Sequence, residues 1–186
     1  MADKKTLWKW NFSGFLIIVI LGFLFHFIYD WTNRSILIGA FVPVNESVWE
    51  HLKLGLWGVI IFSFIEYKFL GSAVSNYFLA KAIGVLVLSL TILLIYYTYS
   101  SFTDKSILAI DITSYIVGVL FCQILTYKIY QTAHSKILNL LALLFIVFTC
   151  IIFAIFTYYP PHEEIFKDAR YNTYGIDKNR TDSAKK

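Results

Sequence analysis

Apolar runs of about 18 to 21 residues recur along this chain, each long enough to cross a hydrocarbon core roughly 30 Å thick. No other feature limits the fold as strongly, because so much uninterrupted apolar surface has no stable place in a small water-soluble domain. Composition agrees: 58% of the 186 residues are hydrophobic and 15% are charged, against ~25% charged in a typical soluble domain. The fold class that follows is all-α, a polytopic membrane bundle of about five transmembrane helices.

The spans fall at about 11–30, 47–67, 77–98, 107–128 and 137–159. Residues 99–106 and 129–136 read as polar turns. Pro160-Pro161 ends the last helix, since proline lacks the amide N–H and its ring clashes with the preceding turn. The chain therefore divides into a helical bundle over 1–160 and a polar tail over 161–186. Ile165 and Phe166 suggest that the first part of the tail folds back onto the outer face, while the stretch from about Asn179 stays solvated. The first apolar run follows Lys4, Lys5 and Lys9, as a signal peptide would. It exceeds the ~7–15 residues of such a segment and no small-x-small cleavage site follows, so it reads as a retained span. Cys122 and Cys150 lie inside apolar runs and behave as small hydrophobes, with no disulfide framework or CxxC site implied. The net charge of +4 is dispersed over loops and tail and leaves no nucleic-acid footprint.

Lysine and arginine near the span ends set the orientation. With the N-terminus inside, Lys4, Lys5, Lys9, Lys68, Lys81, Lys128 and Lys136 lie on the inner side, against Arg34, Lys53 and Lys105 in the outer loops. Five spans then place the C-terminus outside, although the tail's own cations run against that count. Trp8 and Trp10 at one face and Trp31 and Trp49 at the other fit interfacial aromatic belts. In this topology most acids gather at the outer face: Asp30, Glu46, Glu50, Asp104, Asp111, Glu163, Glu164 and Asp168. His26, His51 and His162 join them, while Asp3, Glu66 and His134 lie inside.

The densest polar stretch is Asn45-Glu46-Ser47-Val48-Trp49-Glu50-His51, at the start of an apolar run. Two caps are open to it. Ser47 as N-cap makes Ser-Val-Trp-Glu a capping box; Asn45 as N-cap sets Val44 against Trp49 and puts Glu46 in the first turn. One cap needs only one of these polar residues, so the cluster exceeds what capping requires. His26 and Asp30 share a helical face at the end of the first span, with His26 about 6 Å deeper. A histidine at that depth needs a partner, and ionisable groups inside a membrane are functional candidates by default. Histidines and carboxylates on one side match the donor set for zinc or another divalent transition metal. The expected ligands are His26, Glu46, His51 and His162, with Glu50 or Asp30 as general base. Asn45, Trp49, Asp111 and Asp168 are the expected binding residues. Glu66 reads as an interfacial ion pair with Lys68, and Lys53 as a snorkelling side chain.

The pattern His26-Phe-x-Tyr-Asp-Trp31, then Pro43-Val-Asn-Glu-Ser-x-Trp-Glu-His-x-Lys53, then a tail Phe166-x-Asp168 and Tyr174-Gly175, resembles a family of small bacterial polytopic membrane proteins. The resemblance spans nearly the whole chain and is most specific over 45–53. It implies the architecture and a bacterial cytoplasmic membrane, and carries no reaction with it. From the residues, the expected function is a membrane-embedded, metal-dependent hydrolase acting at the outer leaflet on a lipid, lipid-linked or membrane-peptide substrate. The alternative is a non-enzymatic protein that binds or transports an ion, proton or small ligand through the same cluster, as a homo-oligomer or with a partner subunit. A third is a structural role, the motif serving as a rigid cap.

Overall fold

The computed structural model describes residues 2–103 and 106–176. Asp104, Lys105 and the stretch from Asn179, all given places above, lie outside those residues. Among the described residues the protein is all-helical, and five helices are long and apolar enough to cross a membrane. They are α1 (Lys4–Trp31), α3 (Val48–Leu70), α4 (Tyr77–Thr103), α5 (Leu108–Ile129) and α6 (Lys136–Tyr158). A short helix α2 (Ile36–Gly39) lies between α1 and α3, and a 3-10 turn at Glu164–Phe166 follows α6. The chain is a multi-pass membrane protein.

Two helix ends differ from expectation for local reasons. Asp3 accepts the Thr6 N–H at 2.9 Å and caps α1 well before residue 11, so the lysine-rich N-terminus is helical. Residues 99–103 continue α4 instead of turning, because the Ser101 and Thr103 hydroxyls bond back to the carbonyls of Thr98 and Tyr99. Such back-bonding keeps polar residues compatible with a helix.

Helix α3 is the hub. It packs on α1, α4, α6 and the 3-10 turn. Half of its apolar window is buried, against 17% for α6, which shows most of its surface to the surroundings. The α4–α5 pair is the closest in the bundle. At Gly118 a β-carbon would sit 3.1 Å from the Leu88 carbonyl oxygen, so glycine is what lets these backbones approach. Ile18, Val59, Leu88 and Val119, each at most 1% exposed, form an apolar layer across the middle of the bundle.

A charge pair is buried on α3 on each side of that layer. Near its start, Lys53 does not snorkel: it is fully buried and donates to Glu50 Oε2 at 2.7 Å and to the Gly39 carbonyl at 2.9 Å. Near its end, Glu66 is not an interfacial partner of Lys68. It is fully buried, paired with Lys81 of α4, and accepts the hydroxyls of Tyr77 (3.0 Å) and Tyr130 (2.8 Å). Both corrections share one cause. A carboxylate packed between helices keeps its charge only beside a buried cation and further donors.

Removing one member of such a pair strands a charge. Lys53→Met is expected to cost about 3–5 kcal/mol of stability, and Glu50→Leu/Lys53→Met to recover most of it. Equilibrium unfolding in mixed detergent micelles would measure both. A single variant costing under about 1 kcal/mol would show that the pair is not structural.

Candidate metal centre

The connection from α1 to α3 is held residue by residue. Lys53 takes the carbonyls of Gly39 and Val42 (2.9 and 3.4 Å), and Glu50 Oε2 accepts the Val44 N–H at 3.0 Å. Asn45 Oδ1 accepts the Ser47 N–H at 2.9 Å, while its Nδ2 donates to the Gly175 carbonyl of the tail at 3.0 Å. Ser47 is the N-cap of α3 and accepts the Glu50 N–H at 3.3 Å. Only half of the capping box forms, because the Glu50 carboxylate turns inward to Lys53 rather than back to the Ser47 N–H. Glu46 is thus fixed between two anchored neighbours, over the first turn of α3.

His51 lies just beneath it. Its Nδ1–H donates to the Ser47 carbonyl at 2.9 Å, so Nε2 faces Glu46 Oε2 at 3.4 Å. His26 reaches in from α1, its ring 5.5 Å from that of His51 and tilted 30° to it. His26 Nδ1 is buried and has no hydrogen-bond partner among the described residues. One potential ligand atom from each of His26, Glu46 and His51 lies within 4.8 Å of the other two. When the His51 ring is doubly protonated, the hydrogen bond from its Nε2–H, aided by the nearby His26 and Arg170, holds the Glu46 carboxyl at about 2, against 4.5 for a free glutamate. Glu46 is therefore an anion, and the nitrogen aimed at it carries either a second proton or a lone pair. A lone pair facing an anion is relieved either by a proton or by a cation between them.

The other expected site residues divide. Asp30 is exposed, binds Arg34 Nε at 3.1 Å, and lines a cleft beside the three ligand-type residues, together with Tyr29, Arg34, Asn45, Asp168 and Gly175. Asp168 is buried but inward-committed, its Oδ1 accepting the N–H groups of Arg170 and Tyr171 at 2.7 and 3.1 Å. Glu50 is not placed as a general base, since it is buried and bound to Lys53, Val44 and Thr157. His162 does not join the three and stacks on Tyr174 at 4.7 Å. Asp111 accepts hydroxyls from Tyr99 and Ser106, tying α5 to α4. Trp49 stacks on Phe153 (4.2 Å) and packs at a tilt against Phe166 (4.8 Å), which docks the tail rather than a ligand. Gly175, at φ 63, closes that dock: a β-carbon there would lie 3.1 Å from both Pro160 and the Thr157 carbonyl. Two residues at the site were not singled out from the sequence. Arg34 carried a usable signal, four residues after Asp30; Arg170, whose Nη2 lies 3.6 Å from Glu46 Oε1, carried none.

The chain belongs to DUF6512, a family of unknown function whose model matches residues 1–176. No curated protein and no solved structure matches it.

A carboxyl held below its free value stabilises the fold above the free value and loses that contribution as pH falls through the folded one. Stability is therefore expected to drop between pH 4.5 and about 2 with a component that Glu46→Gln removes. Thermal melts of both proteins across that range would check it, and parallel acid limbs would contradict it.

Proposed function

We propose that the protein is a metal-dependent membrane hydrolase whose centre is zinc or another divalent transition metal held by His26, Glu46 and His51. The orientation of His51 carries this proposal: its Nδ1–H is committed to a backbone carbonyl and its Nε2 points at a carboxylate. A carbonyl on the far nitrogen is the arrangement that fixes the tautomer of a metal-ligating histidine. Two imidazoles and one carboxylate suit zinc, and three protein ligands leave a fourth position open, as catalytic rather than structural sites do. The spread of up to 4.8 Å exceeds the ~3.4 Å between ligands around tetrahedral zinc, so loading would draw the side chains in by about 1 Å.

The metal would supply an activated water. With the metal held by His26, Glu46 and His51, the chemistry supplied would be hydrolysis at a carbonyl carbon or phosphorus, and the rim carboxylate Asp30 would take up the water's proton and pass it to the leaving group as its bond breaks. His26 sits about 6 Å deeper than Asp30, which places the centre at headgroup depth. With the N-terminus inside a bacterial cytoplasmic membrane, the cleft faces the outer leaflet, and a lipid or lipid-linked substrate reaches it from the side. The second reading, an ion- or proton-binding protein, draws on the same His51–Glu46 contact, which a doubly protonated ring makes without metal. The apolar layer of Ile18, Val59, Leu88 and Val119 argues against a route onward through the bundle.

Purified protein is expected to bind one zinc per chain, with affinity lowered about 100-fold or more in His26→Ala and His51→Ala, read by calorimetry and elemental analysis. Equal affinity in the variants would remove the proposed centre. Proton flux in metal-free liposomes, lost in Glu46→Gln, would favour the second reading instead.

A further inference from the structure

Two arginines stand at the cleft, from different parts of the chain. Arg34 forms part of its wall, with Nε on Asp30 at 3.1 Å. Arg170 comes from the tail and approaches Glu46 Oε1 at 3.6 Å. Both are held through their backbone. Asn33 and Arg34 have φ of 50 and 56, values that residues with side chains rarely adopt, and the Arg34 N–H bonds the Tyr29 carbonyl at 2.8 Å. The backbone N–H of Arg170 is bound by the Asp168 carboxylate, which is 1% exposed, and Asn45 ties the same tail to the metal-side loop through Gly175. A solvated tail has no need of a buried aspartate to set where one arginine projects.

Charge says what these arginines are for. Among the described residues, Asp30, Glu46 and Asp168 against Arg34 and Arg170 sum to a formal −1 with neutral histidines, and a divalent metal raises that sum to +1. The loaded cleft then attracts an anion that the empty one repels. Guanidinium forks match the oxygens of a phosphate in two-point geometry, and the depth of the cleft is that of lipid headgroups.

We propose that the group bound in this cleft is a lipid-borne phosphate ester, its non-bridging oxygens held by Arg34 and Arg170 beside the His26–Glu46–His51 centre. This narrows the substrate class of the hydrolase and rests on that metal-site reading. Both arginines are positioning residues for the phosphate, and neither is needed to bind the metal.

The test uses the full chain in maltoside micelles, which contain no phosphate, with and without zinc. Calorimetry would follow binding of short-chain phosphatidic acid, inorganic phosphate and octanoate. Zinc-loaded protein is expected to bind phosphatidic acid and metal-free protein not to. Arg34→Gln and Arg170→Gln are each expected to weaken that binding about tenfold or more with zinc stoichiometry unchanged, and Arg→Lys to lie between, since lysine keeps charge but not the fork. Weaker binding of inorganic phosphate would show that the lipid contributes and supports the assignment; equal binding would reduce the cleft to a site for phosphate itself and overturn the lipid-borne assignment. Octanoate binding as tightly as phosphatidic acid, or no arginine dependence in zinc-loaded protein, would overturn it while leaving the metal centre standing. Failure to bind zinc at all would bring down both.

Discussion

The Glu50–Lys53 ion pair is the constraint on which the rest of this end of the molecule depends. Lys53, fully buried, carries three N–H donors, and it finds Glu50, the Gly39 carbonyl and, at longer range, the Val42 carbonyl. Glu50 shares its oxygens among Lys53, the Val44 N–H and the Thr157 hydroxyl of α6. Two buried charges thus satisfy each other and, in the same geometry, pin an otherwise irregular loop between α1 and α3. Irregular backbone at membrane depth is tolerated only when protein groups take up its polar atoms. Glu46 rides on that loop, so the position of its carboxylate over His51 follows from an ion pair it never touches.

The Glu66–Lys81 cluster has the same logic at the opposite end of α3. The two glutamates are separated by about 24 Å along the helix axis, close to the thickness of a hydrocarbon core. The pairs lie toward opposite ends of α3, with the apolar layer between them. At the far end Glu66 is enclosed by Lys81 and two tyrosines. At the near end polarity continues outward from the ion pair to His26, His51, Glu46 and the arginines. A cavity also reaches the far pair, lined by Tyr130, which binds Glu66, but among the described residues only the near-end cleft adjoins a cluster of metal-ligand type.

Much of this was readable from the residues. The five spans followed from run length, because a bilayer sets a fixed minimum that hydropathy reports directly. His26, Glu46 and His51 stood out because imidazoles and a carboxylate at the mouths of apolar runs have few bland explanations. The partners of the buried charges were not legible. Glu50 and Lys53 are three residues apart and share a helix face, but sequence does not say whether that face meets protein or lipid. Lys68, close in sequence, looked a better partner for Glu66 than Lys81, which only the packing of α4 on α3 brings near. Glu50 was expected as a general base because it is a carboxylate of the same polar stretch, yet its neighbour His51 points a different way on the helix, as successive residues do. Arg170 depends on a tail conformation set by Asp168, Gly175 and the Trp49–Phe166 contact, none of which has a periodicity to read.

The central claim is that one metal bridges His26, Glu46 and His51. X-ray absorption at the zinc edge of loaded protein tests it most directly. The expected spectrum has light-atom ligands at about 2.0–2.1 Å with the multiple scattering of two imidazoles, falling to one imidazole in His26→Ala. A shell without imidazole scattering, or one unchanged in His26→Ala and His51→Ala, would contradict it.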